Sequence, residues 1–243
     1  MSGHSKWSTI KRKKGALDQK RGKLFSSVGR EITISARLLG GDIEANARLR
    51  QAVKKAKSIN MPSANIEKAI KKGTGDLDNV TYEEASYEGY GPNGIAIFID
   101  AITDNKNRTV ADVRHVLSKF GGSLGQSGSV AWNFDRMGII LIEESAVDED
   151  KLFNLSIEND AKDFKREDGY YKLFFDHDIL YEKIELIEKI PIEIDSSFIA
   201  LIPKDSIKVS KDKGEKVEKL IDALDDLDDI QDVYSNYEIE ELS

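Results

Sequence analysis

The hydrophobic period of the chain changes once, near Thr74, and that change limits what each side of it can fold into. Ahead of it, Leu24, Phe25, Val28, Ile32, Ala36 and Leu39 recur at helical spacing, and Gly40-Gly41 supplies a stop signal. Asn46 is a good N-cap for a second helix carrying Leu49, Ala52, Val53, Ala56 and Ile59 on one face. Pro62 suits the first turn of a third helix, which turns Ile66, Ala69 and Ile70 inward and ends at Gly73. Three amphipathic stripes joined by short turns must cover one another, so a three-helix bundle is expected. Gly29 stands inside the first helix, where it costs about 1 kcal/mol relative to Ala, which implies close packing or a weak point there.

Beyond residue 74 the pattern alternates between strand-like and helix-like runs. Residues 82–89, 95–103 and 129–134 read as strands, with a helix over 108–120. A second set follows: strand 139–143, helix 148–158, strands 163–167 and 170–175, helix 179–189 and strand 198–202. That β-α-β-β-α-β order is the ferredoxin-like plan. The tail adds strand 207–209, helix 214–227 and strand 230–239. Neither the part before residue 136 nor the tail after 205 forms a complete layer alone. The expected fold class is therefore α+β: a helical bundle (1–75), a discontinuous α+β domain (76–135 with 206–243) and a ferredoxin-like domain (136–205) inserted into it. Strand 230–239 is expected to share a sheet with 95–103.

Of the 243 residues 40% are hydrophobic and 33% charged, the balance of a globular chain. No run of 18 apolar residues occurs, and the basic N-terminus has no apolar h-region, so neither a membrane span nor a secretory signal is expected. With no cysteine, disulfides, thiol catalysis and Cys-ligated metals are excluded, and a cytoplasmic location is expected. The net charge of −8 conceals a division. Residues 1–75 hold 18 Lys and Arg against 5 Asp and Glu, a balance of +13, which leaves 18 against 39, or −21, for residues 76–243. A split of this size suggests that the first part meets a polyanion.

The cations fall in clusters. Lys6, Trp7, Lys11, Arg12, Lys13 and Lys14 combine a stackable ring with a charge cluster, the pairing that bases and phosphates reward. Arg21 and Lys23 open the first helix. On the second, Arg50, Lys54 and Lys57 repeat at i, i+4, i+7 away from the apolar face, beside Arg48 and Lys55. Lys68, Lys71 and Lys72 extend the stripe onto the third. An ordinary solvated lysine face is the alternative. A possible second anion site lies at Asn105, Asn107, Arg108 and Arg114, where a helix N-terminus follows a strand; helix capping is its alternative. Gly121, Gly122, Gly125 and Gly128 lack the Gly-Lys-Ser/Thr of a phosphate loop. Asp225, Asp226, Asp228 and Asp229 lack calcium-loop spacing and read as a solvated helix end. The best enzymatic case is a phosphoester hydrolase built on Asp104, Arg108 and His115, but no nucleophile motif, metal-ligand spacing or cofactor motif supports it. No catalytic residue, metal or cofactor is expected.

Gly3-His4-Ser5-Lys6-Trp7, Arg21-Gly22-Lys23-Leu24-Phe25, Asn60-Met61-Pro62, NIEKAIKKG over 65–73, Tyr87-Glu88-Gly89-Tyr90-Gly91-Pro92, Thr103-Asp104-Asn105, Gly121-Gly122-Ser123-Leu124-Gly125 and LIDALDDLDD over 220–229 resemble the YebC/PmpR family. That family includes the mitochondrial translational activator of cytochrome oxidase subunit one. The resemblance implies a helical bundle followed by two α+β domains, the last inserted in the middle one. It also implies a transcriptional regulator, other members being described as ribosome-associated factors that aid translation of proline runs. Where the family usually has a basic and an apolar residue, this chain has Ser27 and Gly29. The expected partner is thus nucleic acid, either DNA through the basic N-terminal helices or ribosomal RNA on the ribosome. The protein is expected to act as a monomer away from membranes.

Overall fold

A computed structural model describes residues 21–77 and 81–240. Among the described residues three helices come first: α1 (Arg21–Leu39), α2 (Ala47–Ser58) and α3 (Ser63–Thr74). They bury Val28, Ile32, Ala36, Leu49, Val53, Ala56 and Ile66 around one core. Leu39, expected on the apolar stripe, is 66% exposed: the buried face of α1 ends at Ala36, and Leu38 beside it is exposed as well. Pro62 sits one residue ahead of α3, at its N-cap. The helix does not end at Gly73. It continues to Thr74, and Gly75 takes the left-handed cap at φ 86°. Gly73 serves packing instead: a Cβ there would come within 2.4 Å of the Thr33 carbonyl and 2.7 Å of Ala36 Cβ, so only glycine lets α3 close on α1.

The chain divides into two compact units, the first running up to Asn133 and resuming at Asp205, the second spanning Phe134–Lys204. Besides α1–α3 the first unit contains β1 (Glu83–Tyr90), β2 (Ala96–Thr103), α4 (Lys106–Lys119) and β3 (Ser123–Leu124). After the insertion come β8 (Ile207–Val209), α7 (Lys211–Asp225), β9 (Ile230–Ser235) and β10 (Tyr237–Ile239). Its sheet has the order β3-β1-β2-β9, antiparallel throughout. Ile95, Ile97 and Ile99 share a core with Val113 and Leu117 of α4 and with Val217, Leu220 and Leu224 of α7. The tail strand is not continuous. Residues 230–235 pair with β2, but the chain turns at buried Asn236, whose Oδ1 accepts from the Ala96 N–H at 2.8 Å, and β10 pairs in parallel with β8.

Residues 129–134 are not a strand. They turn through a 3₁₀ segment, Ala131–Asn133, and the sheet's third strand is Ser123–Leu124. The cause is a buried carboxylate: Glu88 accepts hydrogen bonds from the Gly128, Val130 and Ala131 N–H groups at 2.6, 2.7 and 2.8 Å, so ladder partners are unnecessary. Burial pushes this carboxyl up, but the three N–H groups outweigh it and hold it below the usual glutamate range. Replacing Glu88 by Ala is expected to cost about 2–3 kcal/mol at neutral pH in urea denaturation, since three donors lose their acceptor. With a depressed native pKa, this contribution is present above the ordinary glutamate value and lost as pH falls through the native one. The gap between wild type and variant should therefore narrow in acid.

The inserted unit contains β4 (Phe134–Glu143), α5 (Glu149–Glu158), β5 (Asp163–Glu167), β6 (Tyr170–Asp176), α6 (Leu180–Glu188) and β7 (Ser196–Pro203). Its strand order, β5-β6-β4-β7, antiparallel throughout, is the ferredoxin-like plan. The Asp148 side chain caps α5, and Ile140, Ile142, Leu173 and Phe175 pack on Leu152, Leu180, Ile184 and Ile187 of its two helices.

Candidate nucleic-acid interface

The placement of α2 depends on one buried side chain. Asn46 Oδ1 accepts from the Leu49 N–H at 3.0 Å, while its Nδ2 donates to the Ser35 and Gly40 carbonyls at 2.9 and 2.7 Å, tying the helix start to the end of α1. With Leu49, Ala52, Val53 and Ala56 turned inward, Lys54, Lys55 and Lys57 are exposed. On α3, burial of Ile66 and Ala69 leaves Lys68 and Lys71 exposed and Lys72 half-buried.

Two arginines of the sequence stripe have internal tasks. Arg48 meets Glu31 through Nε at 2.7 Å and Nη2 at 3.1 Å, and Glu84 through Nη2 at 2.7 Å. Burial works against its charge, but the two glutamates more than offset that and raise its pKa. Arg50 Nη1 donates to the carbonyls of Ile43 and Glu44 at 3.3 and 2.7 Å. Lys23 is half-buried, and of Arg21 the structure gives only its place at the head of α1. Lys6, Trp7, Lys11, Arg12, Lys13 and Lys14 lie outside the described residues.

At the second candidate site, Asn105 is a cap: its Oδ1 accepts from the Arg108 N–H at 3.0 Å. Arg108 Nη2 contacts Asp104 at 2.8 Å and Asp229 at 2.6 Å, two carboxylates that raise its pKa. Asp229 is no solvated helix end. It is 5% exposed, and its Oδ2 also accepts from Thr103 and Thr109 Oγ1 at 3.0 and 2.7 Å. From α1, Arg30 Nη2 lies 3.4 Å from Asp229 Oδ1 and Nη1 donates to the Asp228 carbonyl. The anion gathered here thus belongs to the chain itself. Asn107 and Arg114 are exposed, and the adjacent cleft of about 290 Å³ has Glu83 and Asp104 in its wall with its one lysine, Lys106, paired to Glu83 at 2.7 Å, which disfavours a phosphate. His115 is exposed and seven residues beyond Arg108, about 10 Å along the helix, so the three residues of the hydrolase case do not converge. Among the described residues no cluster of metal-ligating side chains occurs, and no helix is long and apolar enough to cross a membrane.

A second cleft, of about 320 Å³, opens between α1 and α3 beside Tyr82. Gly29, Arg30, Asn65, Lys68 and Lys72 line it. Of these, sequence spacing singled out the two lysines; the others come together only because α1, α3 and the approach to β1 meet.

Three helices ahead of two antiparallel sheets, the second sheet inserted in the sequence of the first, define a multidomain α+β protein with a basic helical part and an acidic sheet-bearing part. The chain belongs to the TACO1/YebC family: the family's N-terminal domain matches residues 5–76 and its second and third domain residues 82–237. It is 47% identical over 244 residues to a "probable transcriptional regulatory protein" of Natranaerobius thermophilus, covering 99% of this chain and 98% of that one. It is 50% identical over 242 residues to one of the same description from Chloroherpeton thalassium, covering 99% and 97%. The crystal structure of a conserved hypothetical protein from Aquifex aeolicus is 43% identical, covers 93% of each chain and superposes with a TM-score of 0.84.

Proposed function

We propose that the protein is a non-enzymatic regulator of gene expression that grips DNA through the lysine face of α2 and α3, acting as a monomer. The observation that carries this is the division of labour among the cations. The arginines nearest the core are engaged by glutamates and carbonyls, while Lys55, Lys57, Lys68 and Lys71 are exposed on consecutive helices of a segment with net charge +13. Such a face contacts phosphates without reading bases, so it binds by charge and groove shape. The names of the relatives, probable transcriptional regulators, support the DNA target.

A second reading, ribosomal RNA on the ribosome, is favoured by the net −21 over residues 76–243. Phosphate repels that part, whereas ribosomes offer basic proteins beside folded RNA. Gel shifts on duplexes of different sequence, paired with co-sedimentation with ribosomes at moderate salt, separate the two. Duplex binding without ribosome association supports transcription; ribosome association with sequence-blind duplex binding supports translation; binding to neither overturns both.

A further inference from the structure

The cleft between α1 and α3 has a feature that packing does not account for. Gly29 is in the interior of a helix, where glycine is unfavourable, yet a Cβ built on it would touch nothing within 4 Å. Gly73, on the facing helix, has no such room. What Gly29 does is deepen the cleft floor, the service glycine gives where a ligand must approach a backbone closely. The volume of about 320 Å³ lies at the small end of the ~300–1,000 Å³ typical of small-ligand sites, which suits one nucleotide-sized group rather than a run of chain.

The walls supply matching chemistry. Lys68 and Lys72 stand on successive turns of α3 at one side, and Asn65 adds a side-chain amide one turn earlier. Opposite them, the Arg30 guanidinium lies 5.7 Å from the Tyr82 ring centroid. Both members of that pair are held: Arg30 by the Asp228 carbonyl and the Asp229 carboxylate, Tyr82 by its own carbonyl, which accepts from Arg37 Nη1 at 2.7 Å. Arg30 Nε is buried with no hydrogen-bond partner, a donor left unused in the first unit as it stands. A flat group followed by a phosphate matches the ring, the guanidinium and the two lysines of these walls. Bases splayed from a helix are held in this way, between a ring or guanidinium and a cation-lined edge.

Resting on the nucleic-acid reading above, we infer that this cleft receives a single unpaired nucleotide. Its base packs over Gly29 against the Arg30–Tyr82 pair, and its phosphate lies on Lys68 and Lys72. The protein then prefers a strand with a bulged base to a perfect duplex, and the lysine face of α2 and α3 holds the flanking helix.

The test uses the full chain and two short duplexes, one perfect and one carrying a single bulged 2-aminopurine, each made as DNA and as RNA. Wild type is expected to bind the bulged form of its preferred nucleic acid about tenfold more tightly, the scale of one stacked base, and to quench the 2-aminopurine fluorescence. Gly29→Ile, at a position where a Cβ meets nothing within 4 Å, puts a branched side chain into the cleft and should reduce the ratio to about one while leaving perfect-duplex affinity unchanged. Gly29→Ala, which adds one methyl, should fold as well and keep the preference. Tyr82→Leu should lose the quenching. Equal binding of both duplexes by wild type, or a preference that survives Gly29→Ile, overturns the inference while leaving the lysine face intact. Binding of neither duplex overturns the nucleic-acid reading and the cleft assignment with it.

Discussion

Replacing Asp229 by Ala is expected to destabilise the protein by about 3 kcal/mol and to lower its unfolding temperature by roughly 6–12 °C. The carboxylate closes a buried junction of β2, α4 and α1. Its Oδ2 is shared by Thr103, Thr109 and Arg108, and its Oδ1 faces Arg30. Removing it leaves two hydroxyls and two guanidinium groups without their common acceptor. Breaking a buried ion pair costs about 3–5 kcal/mol, and the low end applies because the Arg108 side chain is 48% exposed and regains water. Asp229→Asn keeps the shape and one acceptor, so a smaller loss is expected. A loss below about 1 kcal/mol for the Ala variant in urea denaturation would show that the junction is ornamental.

The same junction sets a pH dependence. Burial pushes the Asp229 carboxyl up, but hydrogen bonds from Arg108, Thr109 and Thr103 outweigh it and hold the pKa below the ordinary aspartate value. A depressed native pKa means stability present above the unfolded value and lost as pH falls through the native one. Wild type should therefore shed stability in acid faster than Asp229→Asn, which carries no titrating group at that position.

Local period and capping made much of this architecture legible in the sequence. The apolar stripe of α2 and its Asn46 cap, the β-α-β-β-α-β order of the inserted unit and the Asp148 start of α5 all follow from residues within a few positions of one another. What escaped depends on partners far along the chain. Residues 129–134 look like a strand until Glu88, about forty residues earlier, captures the N–H groups of Val130 and Ala131 together with that of Gly128. Asp229 looks like one more solvated acid in LDDLDD until Thr103 and Arg108, more than 120 residues earlier, surround it. Arg48 and Arg50 satisfy the spacing of a basic stripe but are withdrawn from it by Glu31, Glu84 and two carbonyls, none of which changes the helical period. The cleft at Gly29 left one local trace, a glycine where a helix does not want one. Its meaning depended on Tyr82, more than fifty residues away.

Reversing the charge of Lys55, Lys57, Lys68 and Lys71 together is expected to weaken nucleic-acid binding by about 100-fold or more at moderate salt, the largest effect of any substitution considered. Each lysine that neutralises a phosphate releases about one counterion, so the slope of log affinity against log salt should become shallower by about four. All four side chains are exposed on helices whose apolar faces are untouched, so the circular dichroism spectrum and unfolding temperature should hold. The decisive comparison is with a variant of the same charge change elsewhere. Lys211, Lys213, Lys216 and Lys219 are equally exposed on α7, within the acidic part of the chain, and their reversal to Glu alters net charge by the same amount. If binding depended on overall charge, the two variants would fall together. If it depends on where α2 and α3 place their lysines, the α7 variant retains most of the affinity and nearly all of the salt slope, and the first variant loses both. An equal loss in the two would remove the interface from α2 and α3.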